Sequence, residues 1–531
     1  MRGSREVTTH KIETKTYRVR RNREEEEMAR VEPNHMGIDI ISGREGHICR
    51  KADDVKPGIT GNPQRAKRAA ITRGIDDASI SCDTDSVAGA VSQRACVFCG
   101  ARVVINPIAD ALHLIHGPIG CSAYTWDIRG SLSSGTELHR LSFSTDLRER
   151  DVIFGGEQKL EAALLELIAR HEPQGAFVYS TCIVGIIGDD LKAVCARVAE
   201  ATGIPVIPVQ SEGFRGNKNA GYKAACEALF KLIGRDREGE PVPLSINILG
   251  DFNLAGEIWI IRDYLRRMGI GVVANISGDS RVADVARAHT ASLNVVQCSG
   301  SMTHLAKMMQ AEYGIPFIRV SWLGTEDMSR SLIQIASFFE NPSIKARTEE
   351  LIGEELAAVE PKLEFYRRRL AGKKAAVYVG GAFKAISLIK SFRAIGMTVA
   401  VVGSQTGKQH DYEEIRREAD PGTVIIDDAN PLELAQLIDT LEIDIFVGGV
   451  KERPVAYKLG VAFCDHNHER KKPLEGFTGM LNFAQEVHSS IASPVWLWIP
   501  RGEAAGRDTA WSKAAREEAA REEGTREVRH G

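Results

Sequence analysis

The run AFVYSTCIVGIIGDDLKAVCARVAEATGIPVIPV, Ala176 to Val209, carries the pattern that repeats through most of this chain. "AFVYS" is a continuous apolar run of strand length. "DLKAVCARVAEAT" spaces its apolar residues as a helix does, and "IPVIPV" is a second strand-like run. Apolar runs without alternation suit strands buried on both faces, and strand–helix–strand order implies parallel pairing through right-handed crossovers.

Outward from this unit the runs "LSINILGD", "IGVVANISGD", "LNVVQC", "IPFIRV", "AAVYVGG", "VAVVGS", "TVIID" and "IFVGG" repeat the pattern. So many strands exceed one sheet. The expected fold is α/β: three Rossmann-like domains with mainly parallel sheets, flanked by an irregular N-terminal arm and a charged C-terminal tail. Composition shifts place the arm at 1–91, the three α/β units at 92–240, 241–372 and 373–500, and the tail at 501–531. The arm, with "YRVRRNREEEEMAR", reads as mobile or wrapping. "SIKARTEELIGEELAAVEPKLEFYRRRLAG" reads as one or two long helices between the second and third units.

At 531 residues, with 43 % apolar and 26 % charged side chains, the composition is that of a globular protein. The net charge of −3 and the lack of a long basic stripe argue against nucleic-acid binding. No apolar run reaches the roughly 18 residues of a membrane span, and no signal-peptide core opens the chain, so the expected compartment is the cytoplasm. Ten cysteines are too dilute for a disulfide framework. The nearest approach to a phosphate-binding loop, "GSQTGKQ" from Gly403, is one residue short and ends on Gln409 where a hydroxyl is needed. Nucleotide binding is not expected.

Cys121, Cys182 and Cys298 follow strands or open helices, where α/β sheets collect ligands and where a helix N-terminus lowers a thiol's pKa. Cys195 and Cys226 lie within helical patterns and read as core. Cys96 and Cys99 form a C-x-x-C. A zinc site wants a second close pair, and a redox dithiol should open a helix, whereas "ARVVINP" after this pair reads as strand-like. Iron–sulfur clusters can take thiolates from distant loops, and the wide cysteine spacing favours that over a zinc knuckle.

"RACVFCGARVVINPIADALHLIHGPIGCSAYTWDIRG", "YSTCIVGIIGDDLKAVC" and "SEGFRGNKNAGYKAA" resemble the α-type subunits of nitrogenase component 1. The closer likeness is to the branch that serves as a scaffold for finishing the iron–molybdenum cofactor. The resemblance implies that Cys96, Cys121 and Cys182 ligate a [4Fe-4S] cluster shared with a β-like partner, NifN, in an α2β2 heterotetramer. It implies that an iron–sulfur precursor arrives from NifB, and that molybdenum and homocitrate are inserted transiently with the Fe protein, NifH. Cys298 matches the cofactor cysteine of catalytic subunits, but Asn467, flanked by His466 and His468, stands where those subunits have their histidine ligand. Asparagine is a poor ligand for a soft iron centre, which fits a scaffold that must release its cargo. His468 is a candidate transient ligand, Arg129, Lys218, Lys451 and Arg453 are candidate cations beside an anionic cluster, and Cys82 is a candidate for first capture. A catalytic nitrogenase α subunit, or a structural paralogue without a large cluster, are the alternatives.

Overall fold

Uniform burial explains why the apolar runs become strands: every residue of Ala111–His116, Gly175–Ser180 and Ser245–Asp251 is buried. The computed structural model describes residues 70–71, 95–127, 141–235, 239–427, 429, 431–466 and 470–497, all within one compact unit. The expected arm, apart from Ala70–Ile71, and the expected tail lie outside these residues.

Strand β1 (Ala70–Ile71) comes first in the chain. The first sheet holds β2 (Ala111–His116), β3 (Ser142–Ser144), β4 (Gly175–Ser180) and β5 (Val206–Val209), in the order β3-β2-β4-β5. The second holds β6 (Ser245–Asp251), β7 (Gly271–Ser277), β8 (Leu293–Val296) and β9 (Phe317–Arg319), in the order β7-β6-β8-β9. The third holds β10 (Lys374–Val379), β11 (Thr398–Ser404), β12 (Val424–Asp427), β13 (Ile445–Gly448) and β14 (Ala462–Asp465), in the order β1-β12-β11-β10-β13-β14. All pairings are parallel except that of the edge strand β1 with β12. The α/β expectation with three mainly parallel sheets is met.

In each sheet the strand order reverses about the first long strand: between β2 and β4, between β6 and β8, and between β10 and β13. Ligands of open α/β sheets bind at such points, beyond the strands' carboxyl ends. Both sites described below lie at them.

One apolar core joins the first two sheets through α1 (Val97–Ile105), the helix Lys218–Phe230 and the helix Ser299–Tyr313. A second core joins the second and third sheets. It includes the 29-residue helix Pro342–Leu370, which is a single helix with Pro361 inside it.

The strand-like reading of "ARVVINP" is corrected here, because α1 runs through it. A continuous apolar run cannot distinguish a buried strand from a helix buried on all sides. The deciding contact is remote in sequence. A Cβ on Gly100 would lie 2.1 Å from the Lys218 carbonyl oxygen, and one on Gly221 would lie 2.1 Å from that of Val97. Paired glycines let the two helices meet backbone to backbone.

Candidate functional site

Three cysteines gather at the carboxyl ends of β2 and β4. Cys96 is the N-cap of α1 and forms an isolated antiparallel bridge with Asn217. Cys121 lies in the first turn of α2 (Ile119–Asp127), its amide donating to the Pro118 carbonyl at 3.1 Å. Cys182 opens α3 (Cys182–Ile187) directly after β4.

Small residues bring the segments together. A Cβ on Gly117 would lie 2.2 Å from Thr181 Oγ1, so only glycine lets the "HGPIG" turn approach β4. Thr181 Oγ1 donates to the His116 carbonyl at 2.9 Å, tying the residue before Cys182 to the turn that leads to Cys121. Gly213 lies between two of the thiols: a Cβ there would sit 2.9 Å from Cys182 Sγ and 3.6 Å from Cys96 Sγ.

Cys96 and Cys182 are exposed and Cys121 is half-buried. Although Cys96 is exposed as a residue, partial desolvation of its sulfur pushes the thiol above its ordinary value, and the neighbouring Cys99 and Cys182 thiolates add to this. Burial likewise raises Cys121, with Cys182 and Cys96 adding to it. The expectation that the helix end lowers the pKa is corrected for Cys121, where desolvation and the neighbouring thiolates outweigh the dipole. The three thiols therefore sense one another. Among the described residues, however, no group of three or more His, Cys, Asp or Glu side chains is placed to hold a single metal ion. The donors are soft thiolates spread along a rim, which suits a polynuclear sulfide cluster better than one ion.

Large apolar side chains stand exposed around this rim. Ile119 shares α2 with Cys121, and Ile186, 71 % exposed, shares α3 with Cys182. Phe214 follows Gly213 and lies against Gly185 of α3. Ile153 and Phe154, the latter 80 % exposed, sit on the short helix Glu149–Phe154 that packs on α3. A gathering of this kind marks a contact surface.

The second site is a cavity of about 1380 Å³, its open mouth included, beyond the ends of β6, β8 and β10. Cys298 lines it and caps α4 (Ser299–Tyr313), directly after β8. Gly250, at φ +94°, ends β6 beside it, and a Cβ there would lie 2.6 Å from that of Cys298. Lys218, in the wall, lies 5.9 Å from the centroid of the Tyr222 ring.

Lys451 is exposed and is not among the residues lining the cavity. Arg453 begins the short helix Arg453–Lys458 and does not line the cavity either. Cys82, Arg129, Asn467 and His468 lie outside the described residues. His466 is buried against Phe483, and burial, followed by the charges of Lys384 and Arg470, keeps its pKa well below the usual value. Cys195 and Cys226 are buried in helices as expected, and Cys99 is buried beside Cys96.

Sequence reading missed the cavity's charged wall. Arg102, Lys384, Arg470, Asp251 and Glu475 all line it. Arg470 pairs with the buried Glu257 at 3.1 Å. Burial, then the Glu257 carboxylate, raises Asp251 to about 6. Burial, then Asp251 and Glu257, holds Glu475 well above the carboxylate range, and Gln297 Nε2 donates to it at 3.2 Å. Lys384, its pKa lowered by burial and then by Arg470, donates to the His466 carbonyl at 3.3 Å. These residues are scattered from 102 to 475, and no local motif joins them.

Comparison with known proteins adds to this geometry. The family model described as "Nitrogenase component 1 type Oxidoreductase" matches residues 96–492. The nitrogenase iron-molybdenum cofactor biosynthesis protein NifE of Clostridium pasteurianum is 60 % identical over 418 residues, covering 79 % of this chain and 91 % of that protein. NifE of Methanosarcina barkeri is 51 % identical over 459 residues, covering 85 % of this chain and 97 % of that protein. The solved structure of nitrogenase Cp1 at pH 5 superposes with a TM-score of 0.77 at 31 % identity, covering 83 % of this chain and 98 % of that one.

Proposed function

Because the chain belongs to the nitrogenase component 1 family, alongside the NifE proteins, we propose that it is a scaffold subunit in biosynthesis of the iron–molybdenum cofactor. One observation carries this reading. Three soft donors from separate segments share a rim that large apolar side chains surround. Three thiolates leave one corner of a cubane for a donor from another chain. Cys96, Cys121 and Cys182 would hold a [4Fe-4S] cluster, and the apolar ring would pack on the β-like partner NifN in an α2β2 assembly. When bound, such a cluster supplies one-electron chemistry.

The chain's own residues prepare the site in definite ways. Gly117, Thr181 and Gly213 fix the approach of the three segments. Because Cys96 and Cys121 sit above their ordinary pKa, they must lose protons as iron is bound, so loading is favoured by rising pH.

The cavity is the second half of the proposal. The cargo, an iron–sulfur precursor delivered by NifB, would enter it beside Cys298, with Lys218 and Arg129 offsetting its negative charge. Asn467 or His468 would replace a permanent histidine ligand, and Cys82 would make first capture. Molybdenum and homocitrate would be added with NifH, and the finished cofactor would leave. The unit boundaries at 92–240, 241–372 and 373–500 belong to the same proposal.

The test is anaerobic iron analysis with EPR on the chain co-expressed with its β-like partner, comparing wild type with Cys121→Ser and Cys99→Ser. Cys121→Ser should lose most of the iron and the cluster signal, while Cys99→Ser keeps both. Full iron in Cys121→Ser would defeat the cluster assignment. Rapid acetylene reduction by the wild type with Fe protein and ATP would defeat the scaffold role.

A further inference from the structure

Cys99 has no part in the thiol rim, yet it stands one turn from Cys96 in α1. As a strand, the run after this C-x-x-C would speak against a redox dithiol; as a helix it speaks for one. Cys96 is the N-cap, with extended backbone at φ −73° and ψ 174°, and its carbonyl accepts from the Gly100 amide at 3.2 Å. Cys99 is the third residue of the helix proper. Helix geometry sets the α-carbons of such a pair about 5 Å apart, inside the roughly 4.4–6.8 Å that a disulfide spans. An extended N-cap turns its side chain over the first turn, and the third residue's side chain reaches back towards it, as in a capping box. Here both side chains are thiols.

The two sulfurs differ in access. Cys96 is exposed, whereas Cys99 is 6 % exposed. Desolvation does most to raise the Cys96 thiol, but the Cys99 amide works against it, and charge on the Cys99 sulfur would repel it. The Cys96 sulfur makes no side-chain cap hydrogen bond, though the Cys99 and Phe98 amides stand near enough to favour its thiolate. An outer thiol that meets reagents and an inner one that its neighbour alone reaches are the two halves of an exchanging dithiol. The rival partner for Cys96 is Cys182, but Gly213 stands between their sulfurs. A buried helical cysteine is ordinarily a small hydrophobe, as Cys195 and Cys226 are. Cys99 differs from both in having a second thiol one turn before it.

We propose that Cys96 and Cys99 form a reversible disulfide that takes Cys96 out of the thiol rim, so that the chain accepts a cluster only in its reduced state. The oxidant is a small-molecule disulfide. The Cys96 thiolate attacks one of its sulfurs, forming a mixed disulfide and releasing one small thiol. The Cys99 thiolate then attacks the Cys96 sulfur, closing the protein disulfide and releasing the second small thiol. Two electrons pass from the dithiol to the small disulfide, and the two protons lost by the cysteines end on the released thiols. Oxidised, the rim keeps Cys121 and Cys182, too few to complete a cubane with one donor from a partner. The pair acts on the chain before a β-like partner covers the rim. Its effect on loading rests on the reading of Cys96 as a cluster ligand; the disulfide itself does not.

The experiment takes the full-length chain, freed of iron by a chelator, through anaerobic buffers of oxidised and reduced glutathione. Free thiols are then blocked and disulfides mapped by peptide mass spectrometry. Wild type should pass from dithiol to a Cys96–Cys99 disulfide in one two-electron step. Cys99→Ser and Cys99→Ala should instead hold glutathione on Cys96, because the inner thiol that would expel it is gone. Offered ferrous iron and sulfide with the β-like partner, oxidised wild type should lose cluster uptake, read from the cluster's visible absorption, and dithiothreitol should restore it. Absence of a Cys96–Cys99 disulfide at every glutathione ratio would overturn the proposal, as would a Cys96–Cys182 disulfide in its place. Full uptake by the oxidised wild type would overturn the switch. Full uptake by reduced Cys96→Ser would strike the cluster reading instead, while the mapped disulfide stands.

Discussion

Around Cys96, Cys121 and Cys182 the protein presents sulfur and hydrocarbon at its surface; around Cys298 it encloses charge. Both places are built alike, at the reversal point of a parallel sheet and on helix N-termini. They differ in how their donors are held. The rim is fixed by backbone approach, with Gly117 and Gly213 leaving no room for a side chain. The cavity is fixed by a network of buried ionisable groups from all over the sequence. A rigid, apolar-edged rim suits a resident group completed by a second chain. A charged, polar enclosure suits anionic cargo that enters and leaves.

This contrast predicts where stability resides, beginning with the strongest effect. Arg470→Met leaves Glu257 buried without its partner and should cost about 3–5 kcal/mol in urea unfolding. A loss below about 1 kcal/mol would mean that the cavity wall tolerates charge as loosely as the surface does.

Next comes pH. Burial raises Glu452 to about 7 from an ordinary 4.5, while Gln405 of the cavity wall donates to it at 3.1 Å. Its folded pKa lies above its unfolded one, so the folded state keeps a proton that the unfolded chain loses. Stability should therefore fall as pH rises from about 4.5 to about 7, by up to about 3 kcal/mol. Asp251, raised to about 6, acts in the same direction. Glu452→Gln should flatten the decline, measured as urea midpoints across that range. Cys96 and Cys121, raised above 9, cannot contribute there. An undiminished slope in Glu452→Gln would reassign the effect to other carboxyls.

The smallest effect belongs to the surface near the rim. Arg148 pairs with Asp146 at 2.6 Å but is 73 % exposed, so Arg148→Ala should leave the urea midpoint unchanged. A lowered midpoint would show that the rim, too, depends on charge.

The rim was the more legible of the two places. Cys121 and Cys182 stand at a strand end or a helix start that hydrophobic pattern alone could find, and "HGPIG" announced its turn. What pattern missed there was α1, since a fully apolar run hides its period and only the glycine contact with Lys218–Phe230 explains the helix. In the cavity, pattern placed Cys298 at a helix start and the resemblance pointed to Lys218, but neither gave any sign of Arg102, Lys384 or the Asp251–Glu257–Glu475–Arg470 group. A charged residue in sequence looks the same whether it is solvated or enclosed. Lys451 shows the converse: its turn suggested the pocket, and it lies exposed.

By itself the sequence determined the α/β alternation, the parallel pairing and the positions of Cys121, Cys182 and Cys298 at element ends, because these follow from local periodicity and chirality. Only the tertiary structure decided which charges were taken out of water and which thiols came to share a rim. Desolvation and Coulomb interaction depend on distance and surroundings in space, and segments a hundred residues apart along the chain set both.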